Sequence, residues 1–74
     1  MKQYIIDIIE SGRLAVLIFG KEDTQTFDTI VDKRDNDSDL IELGKTTYES
    51  SYLVNLNHVR FVKPKDKSKG FTGF

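Results

Sequence analysis

The chain has no cysteine, no tryptophan, one proline and one histidine among its 74 residues. Without cysteine it can form neither a disulfide nor a thiolate metal site, and a single histidine, His58, excludes the histidine-rich zinc sites that stabilise many small domains. The fold must therefore rest on apolar packing, either within one chain or against another copy. A homo-oligomer is one expectation for a chain this small.

Long apolar stretches are also missing. The longest uninterrupted one covers residues 14–19, far short of the roughly 20 residues that span a bilayer. Near the start, Asp7 interrupts the apolar run and no small-residue cleavage site follows, which is not the pattern of a signal peptide. We expect one domain in the cytoplasm, without a membrane partner.

Apolar residues recur at period two along several short segments, which is the pattern of β-strands. Six segments show this alternation or a continuous apolar run: residues 3–10, 13–19, 25–32, 40–43, 46–56 and 59–63. Turn residues separate them at the spacing typical of small β domains. We predict an all-β fold without a helix longer than one turn. The expected architecture is a five- or six-stranded small barrel or a strongly bent antiparallel sheet, SH3-like or Sm-like in size.

The predicted β domain covers residues 1–64, and residues 65–74 are predicted to form a flexible basic tail. Ser11 and Gly12 are expected to form a hairpin turn, residues 55–58 a tight turn, and Pro64 to end the last strand. The expected core consists of the alternating apolar side chains of these segments: Tyr4, Ile6, Ile8, Leu14, Val16, Ile18, Phe27, Val31, Leu40, Tyr52, Val54, Leu56, Val59 and Phe61.

The acidic stretch at residues 35–39 begins like a calcium-binding loop. Its sixth position is Leu40, where the turn needs glycine, and its twelfth is Thr46, where a bidentate glutamate belongs. We therefore interpret it as a solvated loop and assign no metal. His58 lacks a neighbouring nucleophile, and no glycine run that could cradle a phosphate is present, so we predict neither an enzyme nor a cofactor.

Charge is distributed unevenly along the chain. Residues 1–49 carry six basic and 11 acidic side chains, whereas residues 50–74 carry five basic and one acidic. Spaced basic residues can neutralise phosphates, and aromatic rings can stack on unpaired bases. The candidate nucleic-acid-binding residues are therefore the basic and aromatic side chains of this end: Arg60, Lys63, Lys65, Lys67, Lys69, Phe71 and Phe74.

Two short resemblances fall in the same region. Residues 51–59, with the sequence SYLVNLNHV, are similar to a segment of the LytTR family of bacterial DNA-binding domains. That resemblance implies an all-β fold that contacts DNA through loops. Residues 52–62 also resemble the end of an SH3-like barrel, where a strand, a 3₁₀ turn and the last strand follow one another. Both resemblances describe a strand–turn–strand corner more than a function.

The function predicted from these features is a non-enzymatic binding or regulatory module that contacts nucleic acid through its basic end. Two alternatives stay open. One is a small inhibitor or adaptor, of the kind that phages and other mobile elements encode, which binds a protein through its sheet edge or through its acidic loop at residues 32–39, with Asp35, Asp37 and Asp39 as the candidate residues. The other is an oligomer that sequesters a small ligand between its subunits.

Overall fold

The computed structural model describes residues 1–47 and 49–67. One helix precedes six short strands and a 3₁₀ turn. In chain order they are α1 (Lys2–Glu10), β1 (Leu14–Ile18), β2 (Thr24–Phe27), β3 (Thr29–Asp32), β4 (Leu40–Gly44), β5 (Tyr52–Asn55), the 3₁₀ turn Leu56–His58 and β6 (Phe61–Lys65).

The strands form two antiparallel sheets of three strands each. The first sheet has the order β2-β1-β6 and the second the order β3-β4-β5. Only Asp28 separates β2 from β3, so one bent segment passes from the first sheet to the second, as in packed sheets whose corners are made by strands that change sheet. The predicted antiparallel β structure is therefore present in outline. The described strands form no closed barrel, and the helix makes the description all-β only approximate.

The bend at Asp28 is held by side-chain hydrogen bonds. The Thr29 hydroxyl donates to Asp28 Oδ1 at 2.8 Å. From the segment after β4, the Thr46 N–H donates to the same oxygen at 2.8 Å, and the Thr46 hydroxyl donates to Oδ2 at 3.0 Å. The Asp28 N–H in turn donates to the Gly44 carbonyl at 3.0 Å. These bonds satisfy the backbone at the point where the strand changes sheet.

The first segment corrects the sequence prediction, because residues 2–10 form a helix and not a strand. Helical spacing places Ile5 and Ile8 together against the core, both essentially inaccessible, and turns Tyr4 into solvent with half of its surface exposed. The predicted hairpin turn at Ser11 and Gly12 instead ends this helix. Gly12 adopts a φ of +88°, a conformation that glycine takes without steric cost, and the chain then enters β1.

The core lies between the two sheets and the helix, and its register on two strands differs from the prediction. On β1, Ala15 and Leu17 face the core, and on β4, Ile41 and Leu43 do so. The predicted residues Leu14, Val16, Ile18 and Leu40 occupy the alternate positions. A one-residue shift in phase exchanges the two faces of a strand, and both phases of these apolar runs look alike in the sequence.

Four other predicted core residues have at least half of their surface exposed: Tyr4, Val31, Tyr52 and Phe61. The predictions for Ile6, Ile8, Val16, Phe27, Val54, Leu56 and Val59 are confirmed, since all seven are buried, although Val16 lies on the opposite face of β1 from Ala15 and Leu17.

The corner predicted near the end of the chain is present. The Asn55 side chain accepts a hydrogen bond from the Asn57 N–H at 3.0 Å and so caps the 3₁₀ turn between β5 and β6. The two strands around it have different limits from those expected. Strand β5 begins only at Tyr52, and β6 continues through Pro64 to Lys65, one residue beyond the predicted domain end. Proline is accommodated there because β6 lies at an edge of its sheet.

Candidate nucleic-acid interface

The first sheet has one face toward the core and one toward solvent. Ala15, Leu17 and Phe27 point into the core, so the alternate residues of the same strands point outward. The outward residues define what we call the β6 face: Leu14, Val16, Ile18, Thr24, Thr26, Phe61, Lys63 and Lys65.

Strand pairing arranges the β6 face in rows. Val16 lies between Thr26 and Lys63, and Ile18 lies between Thr24 and Phe61. Val16 points away from the central core but is only 5% exposed. The side chains of Thr26 and Lys63 stand beside it on the two neighbouring strands and cover it. The face is therefore a shallow groove with an aliphatic floor, a hydroxyl-bearing side on β2 and a cationic side on β6.

Phe61 is the most exposed large apolar side chain among the described residues, at 63% of its surface. It shares β6 with Lys63 and Lys65, and side chains two positions apart on a strand stand on the same face about 7 Å from one another. An aromatic ring and two ammonium groups thus follow one line along the edge of the groove. This set combines a surface for stacking with two partners for anionic groups.

The balance of basic and acidic residues on the β6 face differs from that of the whole chain. The whole sequence carries 12 acidic and 11 basic residues, yet the eight residues of this face include two lysines and no carboxylate. An anion that approaches it meets positive charge without a neighbouring acidic side chain on the same surface.

The predicted binding residues are brought together only in part. Lys63 and Lys65 lie side by side on the β6 face. Arg60 is exposed just before β6, where its N–H donates to the Ile18 carbonyl at 2.8 Å. Lys67 is exposed beyond β6, and its charge acts on Asp28 at the bend. The remaining predicted residues, Lys69, Phe71 and Phe74, lie outside the described residues.

Phe61 is the functional candidate that the sequence reasoning missed. The alternation of Val59 and Phe61 predicts that both lie in the core, but the 3₁₀ turn breaks that alternation. Val59 is buried beside this turn. Phe61 begins a new strand, and its side chain points away from the core. The available signal was its two-residue spacing from Lys63 and Lys65, which puts an aromatic ring on the same strand face as the two lysines.

The acidic loop at residues 33–39 is fixed to the rest of the fold. The buried Lys2 ammonium donates to the carbonyls of Lys33 at 2.7 Å and Asp35 at 2.8 Å. At the other end of the loop, Asp39 Oδ2 accepts from the Asn57 side chain at 3.0 Å, and the Asp39 carbonyl accepts from the Leu56 N–H at 2.7 Å. All three aspartates predicted to bind a protein are exposed, and the Asp39 side chain also accepts a hydrogen bond within the fold.

In residues 1–47 and 49–67, no group of three or more histidine, aspartate or glutamate side chains is arranged to hold a metal ion. His58 is exposed at the end of the 3₁₀ turn. Helix α1 has nine residues, and none of the described helices is long and apolar enough to cross a membrane.

Comparison with known proteins adds no relative to this picture. No family model, no curated protein and no solved structure matches the chain.

Proposed function

We propose that this chain is a non-enzymatic module that binds single-stranded nucleic acid along the β6 face. The observation that carries the proposal is the alignment of Phe61, Lys63 and Lys65 on one carboxylate-free surface. The predicted resemblance of residues 51–59 to the LytTR family indicates the same class of ligand, although through loops and not through this sheet.

Each part of the face has a counterpart in an unpaired strand. The exposed ring of Phe61 offers a surface on which one base can stack, and such stacking contributes about 1–3 kcal/mol per base. Lys63 and Lys65 can each neutralise a phosphate, and the hydroxyls of Thr24 and Thr26 can hydrogen-bond to sugar or phosphate oxygens. A duplex hides its base faces, so it could contact the lysines and threonines but would offer no base to stack on Phe61.

The test is fluorescence anisotropy with a labelled 12-nucleotide single strand, as DNA and as RNA, over a range of salt concentrations. Phe61→Ala should weaken binding by about 5- to 150-fold, which corresponds to the loss of one stacked base. The double variant Lys63→Gln/Lys65→Gln should reduce the slope of log affinity against log salt by about 1.4, since each phosphate contact to a single strand contributes about 0.7.

The matched control is Lys33→Gln/Arg34→Gln, which removes the same charge from the loop between β3 and β4. It breaks only the exposed ion pair between Lys33 and Glu10, which is worth at most about 1 kcal/mol. The salt slope of this control should equal that of the unmodified chain. Absence of binding to the single strand at low salt would refute the proposal, as would binding that survives both substitutions on the β6 face.

A further inference from the structure

The outward side chains of the first sheet differ in chemistry from one strand to the next, and strand pairing sets them in a fixed order. The row at the start of β6 runs from Phe61 through Ile18 on β1 to Thr24 on β2. Neighbouring strands lie about 4.8 Å apart, so each of these side chains has the next one as its direct neighbour. An aromatic ring, an aliphatic side chain and a hydroxyl group therefore stand side by side across the sheet.

Ile18 is the aliphatic member of this row. It is partly exposed, and it does not belong to the central core, to which β1 contributes Ala15 and Leu17. Together with Val16 it lines the groove of the β6 face, whose volume is about 520 Å³. Sites that hold small organic groups commonly have about 300–1,000 Å³. The groove thus has room for part of a nucleotide next to an apolar side chain.

The charges on the two sides of this row differ in sign. The two lysines of the β6 face follow Phe61 along its strand, whereas the turn between β1 and β2 carries Glu22 and Asp23 against one lysine. The phosphates of a bound single strand are attracted to β6 and repelled from that turn. Bases that extend away from the phosphates then lie over β1, where the base stacked on Phe61 meets Ile18.

We infer that this row selects thymine among the pyrimidine bases, so that the single strand preferred by the β6 face is DNA. The inference rests on the proposed function and names its ligand more closely. Thymine carries a C5-methyl group next to the carbonyl oxygen O4. When the base stacks on Phe61, the methyl group covers Ile18 and O4 accepts a hydrogen bond from the Thr24 hydroxyl.

The methyl group is the part of the base that decides the preference. Uracil has the same O4 but no methyl group, so it leaves the exposed surface of Ile18 uncovered. Cytosine also lacks the methyl group and presents an amino group in place of O4, which the Thr24 hydroxyl can accept as readily as it donates to an oxygen. Thr24 therefore helps to place a pyrimidine, and Ile18 distinguishes one pyrimidine from another.

The first test compares a strand of 12 thymidines with a strand of 12 deoxyuridines, which differ only in the methyl group. In fluorescence anisotropy at low salt the thymidine strand should bind about fourfold more tightly, the factor expected for burying one methyl group. A strand of 5-methyldeoxycytidine should exceed one of deoxycytidine by the same factor. Equal affinities for thymidine and deoxyuridine strands would overturn this inference and leave the proposed function standing. Absence of binding to all four strands would refute both.

The second test is the variant Ile18→Thr, which keeps a β-branched side chain and removes most of the aliphatic contact. The ratio of thymidine to deoxyuridine affinity should fall toward one. Val31→Thr is the matched control, because Val31 is an exposed aliphatic residue of the second sheet, and its ratio should equal that of the unmodified chain.

A fourfold ratio that persists in Ile18→Thr would overturn the inference, since the methyl group would then act through stacking on Phe61 alone. If Ile18→Thr does not fold, Ile18→Val takes its place. That variant removes one methyl group from the contact, so the ratio should fall by a smaller amount, and an unchanged ratio would count against Ile18 in the same way.

Discussion

Asp28 occupies the single position between β2 and β3, and its carboxylate holds the bend. Partial burial alone would raise the pKa of Asp28, but hydrogen bonds from Thr29 and Thr46, aided by the charge of Lys67, outweigh it and hold that pKa below the ordinary value of 3.8. The unfolded chain therefore binds a proton at Asp28 more readily than the folded chain does.

The stability of the fold should depend on this carboxylate at acid pH. Its contribution is fully present above the ordinary pKa near 3.8 and is lost as pH falls through the lower pKa of the folded state. We expect Asp28→Asn to flatten the decline of the free energy of unfolding below about pH 4, measured by urea denaturation at several pH values. Asp37→Asn, in the exposed acidic loop, is the control. An unchanged acid decline in Asp28→Asn would contradict this account.

At the scale of elements, helix α1 shows what the sequence could and could not reveal. Ile5, Ile6, Ile8 and Ile9 are β-branched, and Tyr4, Ile6 and Ile8 alternate, so local propensity and period two both predict a strand. The same residues also fit helical spacing, with Lys2, Ile5 and Ile8 on adjoining turns. The choice is made by the rest of the core, in which Ile5 and Ile8 are buried while α1 lies against β1 and β3. No local sequence pattern contains these contacts.

The strands also show that local sequence predicts turns better than it predicts which face of an element is buried. The turn at Asn55 and most of the loop predicted at residues 32–39 were predictable, and Gly12 marked a break in the chain but not which element it ends, because glycine, asparagine and clustered charge act locally. The face that each apolar run buries was not, since β1 has apolar residues in both phases. For this reason Lys63 and Lys65 could be predicted as a basic pair, whereas the groove of Val16 and Ile18 beside them could not.

Substitutions in α1 distinguish the helix from the strand that its sequence suggests. In a strand Tyr4, Ile6 and Ile8 would all point to the core and Ile5 would point away, whereas in the helix Ile5 and Ile8 are both buried and Tyr4 is half-exposed. We expect Ile8→Val to lower the free energy of unfolding by about 0.5–1.5 kcal/mol and Ile8→Ala by about 2–5 kcal/mol. Tyr4→Ala should change it by only about 0.5 kcal/mol, as is usual at the surface. Urea denaturation measures all three, and equal losses at Tyr4 and Ile8 would argue for the strand.

At the scale of the whole molecule, the two sheets depend on each other. They share the bent segment through Asp28 and a core to which both contribute. Phe27 of the first sheet and Tyr52 of the second are also in contact, with ring centroids 5.9 Å apart. Neither sheet has a separate apolar core that could keep it folded after the other unfolds.

Unfolding should therefore be a single cooperative transition. Far-ultraviolet circular dichroism reports on the strands and helix, and near-ultraviolet circular dichroism reports on the packing of the tyrosines. We expect the two signals to change with the same midpoint in a urea titration at fixed protein concentration. Two separate midpoints would show that the sheets unfold independently.

The Lys2 ammonium, which bonds to the carbonyls of Lys33 and Asp35, has one more consequence. Acetylation of a lysine removes its charge and leaves one N–H in place of three donors, so an acetylated Lys2 could not hold both carbonyls. Both hydrogen bonds engage this amine, so acetylation is favoured in molecules in which the acidic loop has separated from α1. Once acetylated, the Lys2 side chain could no longer bind both carbonyls of the loop. The loop would then not settle back against α1, so a transient opening would become a lasting one.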